Sequence, residues 1–210
     1  MRKNFGPRMA ALALGAALLA GGSGVAFADE VDTEDVEVTF EILGGPEPGS
    51  LWMTVADDEV ALTESGSGAG ILQFTGTLPT VTVTDTRDLA DIDPSAFWTV
   101  LGVASDFEGD GTQPDIDAEN LGWAPALIDE GDTGTISEGG PVYPILDTAN
   151  SPANTGLVSG ADYLMMAWTS AELVEAGESA WTANAGLTVQ VPDTTDPGTY
   201  TSTLTLTLTE

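Results

Sequence analysis

Carboxylates are the residues of this sequence that could do chemistry, and one stretch spaces them usefully. Asp106, Glu108, Asp110 and Asp117 fall at the first, third, fifth and twelfth places of a loop whose sixth residue is Gly111. That is the spacing with which a loop wraps oxygen ligands around a hard cation, so calcium is the ion it implies. The stretch departs from the pattern in having Glu at the third place and Asp, a shorter side chain, at the twelfth. The competing reading is a solvated loop in a chain that is acidic throughout. Asp132-Thr133-Gly134-Thr135 has the form of an aspartic-protease triplet, and Asp147-Thr148-Ala149 partly repeats it. Acidic residues precede the first, and the two lie too close for two lobes, so both read as turns. Glycoside hydrolysis needs only two carboxylates, and among 34 acidic residues no pair stands out.

The chain has no Cys and no His. This excludes Ser-His-Asp and Cys-His catalysis, His/Cys zinc sites and disulfides. Arg87 follows Thr84-Asp85-Thr86 at a strand end. It reads first as one half of a structural ion pair and second as an anion site. Of the five Trp, Trp98 and Trp168 lie in apolar runs and read as core. Trp52, Trp123 and Trp181 stand beside polar or Gly residues; they read first as packing at the sandwich ends, and one or two of them second as a flat sugar-stacking platform.

The elements that must position these residues are strands. Alternating or continuous apolar runs predict strands over 36–42, 51–55, 59–63, 71–75, 78–85, 97–104, 163–169 and 186–191. The last, 200–209, puts Leu204, Leu206 and Leu208 on one face and Thr on the other. One short helix is expected over 170–177, with Ser170 as N-cap and Gly177 just past its end. Residues 105–160 are rich in Asp, Glu, Gly and Pro around short apolar islands and predict a loop-rich acidic region with a few short strands. The fold class expected is all-β: an antiparallel β-sandwich with Greek-key-like connections and one short helix at most.

Residues 1–28 read as a signal peptide, with Arg2, Lys3 and Arg8, then an apolar run, then Ala26-Phe27-Ala28. An acidic lead-in follows at 29–35, and one domain over 36–210. Export would leave Arg87 as the only cation against 34 acids. Such a chain repels nucleic acid and anionic lipid and favours metal cations or basic partners. The mature chain is expected to carry no membrane span and no covalent wall anchor.

Several segments together resemble the WxL domain of Gram-positive surface proteins. They are Thr80 to Arg87, Trp98-Thr99-Val100, Leu121 to Pro125, Leu187 to Pro192 and Gly198 to Glu210. The family's two Trp-x-Leu motifs correspond to Trp98-Thr99-Val100 and Leu206-Thr207-Leu208, with Val100 and Leu206 as the replaced residues. The resemblance implies an extracellular, non-catalytic domain held non-covalently at the cell wall, on peptidoglycan or beside other surface proteins. Trp98, Val100, Trp123, Arg87, Leu206 and Leu208 would then form the docking face. A calcium-dependent carbohydrate-binding module is the alternative.

Overall fold

The computed structural model describes residues 49–210. The expected signal peptide, the acidic lead-in and the strand at 36–42 lie outside the described residues. In chain order the strands are β1 (Leu51–Val55), β2 (Thr63–Glu64), β3 (Ile71–Thr77), β4 (Val81–Asp85), β5 (Trp98–Ala104) and β6 (Glu108–Gly109). They continue with β7 (Leu121–Asp129), β8 (Ile136–Glu138), β9 (Asp162–Ala167), β10 (Ala180–Pro192), β11 (Tyr200–Thr201) and β12 (Leu204–Thr209). One α-helix, α1 (Ser170–Glu175), lies between β9 and β10.

All strand pairs are antiparallel, in two main sheets and a small β6–β11 ladder. The larger sheet is organised by β10. Its C-terminal half pairs with β3 and its N-terminal half with β4 along one edge, and β7 pairs along the other. β3 and β4 thus act as one long strand interrupted at Leu78-Pro79-Thr80. Proline lacks an N–H for a ladder, and the register slips there by one residue, with Thr77 opposite Gly186 but Val81 opposite Ala183. β1 and β2 extend the outer edges of β4 and β3. The smaller sheet runs β12-β5-β9-β8. Most neighbours are distant in sequence, so the chain crosses repeatedly between sheets, as a Greek-key sandwich requires.

Pro125 lies within β7 at no cost. The Ala185 carbonyl accepts from Leu78 on the β3–β4 side. Ala185 and Pro125 therefore form a pair without mutual hydrogen bonds, and the missing N–H falls on the outer edge of β7.

The core lies between the sheets. β10 contributes Trp181, Ala183, Ala185, Leu187, Val189 and Val191, every second residue of the strand. β5 contributes Trp98 and Val100, and the Trp98 and Trp181 rings meet across the core at 5.6 Å between centroids with planes tilted by 42°. Trp123 of β7 fills the hollow left by Gly102 on β5, where a Cβ would stand 2.5 Å from its ring.

The helix ends as its sequence predicts. Gly177 has φ +80°, Gly177 N–H bonds the Val174 carbonyl, and Glu178 N–H bonds the Leu173 carbonyl. These are the paired bonds of a Schellman cap. Its start differs by one residue: Thr169 is the N-cap, and Ser170 is helical and fully buried. Two strand expectations also change. Of the run at 59–63 only Thr63 enters a strand, as the first residue of β2, and 200–209 splits into β11 and β12 around Ser202-Thr203, which bonds Ser105.

Candidate functional site

The residues expected to form a docking face are mostly interior. Trp98 and Val100 are fully buried and Trp123 is 2 % exposed. A fully buried side chain cannot meet a partner, so these three support the fold and their docking role is corrected. Leu206 and Leu208 turn inward from edge strand β12 and pack, half-buried, against the core. Of the three Trp for which packing and a sugar platform were both open, Trp123 and Trp181 are buried as packing requires, and Trp52 is half-buried on β1.

Arg87 is fully engaged. Its Nε donates to Asp85 Oδ1 at 2.9 Å and its Nη2 to Asp85 Oδ2 at 2.7 Å, a bidentate fork. Its Nη1 donates to both Glu210 carboxylate oxygens at 2.7 Å. The Asp85 side chain has no exposed surface. The hydrogen bond to Asp85 holds the guanidinium above its ordinary pKa despite partial burial, and Glu210 adds to the effect. This network ties the end of β4 in one sheet to the residue after β12 in the other. It has the form of a structural ion pair.

The four loop carboxylates go to different tasks. Asp106 Oδ1 accepts from Ala118 N–H at 2.8 Å, closing the loop, and Phe107 and Ile116 bridge inside it. Asp110 accepts from Gln113 Nε2 at 2.7 Å; this bond, with others from Thr199, keeps its carboxyl below the usual range. Glu108 is exposed on β6. Asp117 precedes a 3-10 turn at 118–120 and, with Asp115, Glu119 and Asp196, lines a cleft of about 420 Å³ beside Tyr200. Among the described residues, no group of three or more acidic side chains is gathered so as to hold a metal ion.

The Asp132-Thr133-Gly134-Thr135 segment is a turn wrapped on Glu178. Asp132 N–H and Thr133 N–H donate to Glu178 Oε1 at 2.6 and 3.1 Å, and Trp181 Nε1 donates to Oε2 at 3.1 Å. Desolvation pushes this carboxyl up, but the bonds from Trp181, Asp132 and Thr133 prevail and hold it below its ordinary value.

The exposed aromatic surface lies elsewhere. Phe97, just before β5, is 52 % exposed, and Trp168, just after β9, is 63 % exposed. Each stands one residue beyond the Trp98–Ala167 pair, at the same end of two hydrogen-bonded strands. Trp168 N–H bonds the Thr135 carbonyl, and beside Phe97 the Ala96 carbonyl accepts from Ser170 N–H. Leu89, in a 3-10 turn at 89–91 that packs near α1, is also exposed. Sequence reading placed Trp168 in the core, because Tyr-Leu-Met-Met-Ala-Trp is apolar without a period. The signal available was its place directly before the cap residue Thr169, where a strand gives way to a helix.

No protein-family model matches the chain, and no curated protein matches it. Among the described residues, no helix is long and apolar enough to cross a membrane.

Proposed function

We propose that this chain is an exported, non-catalytic surface protein that docks non-covalently on cell-wall peptidoglycan. The observation that carries the reading is the exposed Phe97 and Trp168 at one end of a rigid strand pair. Exposed apolar side chains grouped together mark interaction surfaces, and indole faces stack well on the C–H faces of sugars. The signal-peptide-like start and the resemblance to WxL domains point the same way. The excess of acid opposes approach to the phosphate-bearing polymers of a wall, so divalent cations that screen it tighten the docking.

Co-sedimentation with purified wall sacculi tests the proposal, with calcium and with chelator side by side. Pelleting with sacculi supports it, and weaker pelleting in chelator supports cation bridging. A protein that stays in the supernatant in both conditions contradicts it and directs the search to protein partners.

A further inference from the structure

The exposed aromatic pair is one end of a longer surface, the outer face of the smaller sheet. β5 turns Trp98 and Val100 inward, and Gly102 faces the Trp123 ring, so Thr99, Leu101 and Val103 face outward. Register sets Thr99 between Met166 of β9 and Thr209 of β12, and Leu101 between Tyr163 and Thr207. None of the residues that these three strands turn outward is charged. The chain carries 34 acidic residues against four basic ones, so a sheet face without a carboxylate differs from the rest of the surface.

A bulge in β9 completes this face. Tyr163 and Trp168 are an odd number of residues apart, and unbroken alternation would send them to opposite sides of the sheet. The register slips at Leu164: Val100 pairs with Met165 but Leu101 with Tyr163, and Leu164 and Met165 both turn into the core. Tyr163, 41 % exposed, thereby joins Trp168 and Phe97 on the outside. Bulges are over-represented beside functional sites, where they re-aim a side chain. The two outer aromatics of β9 stand about 15 Å apart along the strand, farther than one sugar ring reaches.

We propose that this face binds the sugar chain of the wall, an extended and uncharged chain of N-acetylated hexosamines lying along β9 and β5. The inference rests on the wall-docking reading and names the component that docks. Aromatic rings at separated points on a flat sheet match the C–H faces of successive sugars. The exposed Thr205 and Thr207 offer hydroxyls that both donate and accept, and the half-buried Leu101 and Met166 offer apolar surface to acetyl methyl groups. The charge pattern selects a neutral partner. An anionic polymer or a second copy of this chain would meet the surrounding acid, and a basic partner gains nothing from a face without carboxylates.

The test is pelleting with chitin, a neutral N-acetylglucosamine polymer, beside pelleting with wall sacculi, for wild type, Tyr163→Thr and Thr207→Glu. Both substitutions fall on exposed strand positions away from Phe97 and Trp168, so melting temperatures should stay close to wild type. Wild type should bind both solids, and soluble chito-oligosaccharide should compete for each. Tyr163→Thr should weaken binding to both about tenfold, the worth of one aromatic contact. Thr207→Glu, which sets a charge on the face, should abolish it. Wild type that pellets with sacculi but not with chitin would overturn this inference and leave wall docking standing. Chitin binding that persists in folded Thr207→Glu would overturn it as well. Binding to neither solid would overturn both.

Discussion

Arg87 and Asp85, two residues apart in sequence, form a bidentate ion pair in which the carboxylate is wholly buried. The same guanidinium reaches Glu210, so the one cation of the described residues fastens the two sheets together. Removing the cation strands a buried charge, which costs far more than the pair itself contributes. Arg87→Met should therefore lower unfolding free energy by about 3–5 kcal/mol in urea. Adding Asp85→Asn should recover a large part of that loss. Glu210→Gln should cost about 1 kcal/mol or less, because its side chain is 37 % exposed.

Glu178 gives the fold an acid-sensitive joint. Its folded pKa lies below the ordinary glutamate value of 4.5. A carboxyl depressed in the folded state contributes stability that is present above its unfolded pKa and lost as pH falls through the folded value. The wild type should lose stability below about pH 4.5 faster than Glu178→Gln does. At neutral pH that substitution should cost about 1–2 kcal/mol, the weakening of bonds to a partly exposed charge. Chemical denaturation at stepped pH checks both.

Gly102 is required by the Trp123 ring that lies against it. Gly102→Ala should destabilise by about 1–3 kcal/mol through overpacking and should shift Trp emission. Combining it with Trp123→Phe, which withdraws the distal ring atoms, should return part of the stability.

Pattern made the outlines of this fold legible and left its centre obscure. The Leu/Thr alternation of β12 and the glycine after α1 declared themselves, because each is a strong local signal. The first half of β10 did not. Its inward residues after Trp181 are Ala183 and Ala185, too weakly apolar to raise an alternation above their neighbours, and the strand's other edges supply the stabilisation. β7 was masked by the acidic composition around it, although its nine residues pair along β10. Trp98-Thr99-Val100 and Leu206-Thr207-Leu208 stand out in the sequence, but their burial depends on the facing sheet, which no local window contains. The outward Trp168 and Tyr163, brought to one face by a bulge, are likewise products of register, not of spacing.

The central claim is that the exposed aromatic end of the β5–β9 pair docks this protein on the wall. The direct measurement is the fraction of protein pelleted with purified sacculi in calcium, for wild type and for Phe97→Ser/Trp168→Ser, with melting temperatures recorded alongside. Both side chains are mostly in solvent, so the variant should fold with an unchanged melting temperature and stay in the supernatant while wild type pellets. Equal pelleting of wild type and folded variant would contradict the claim.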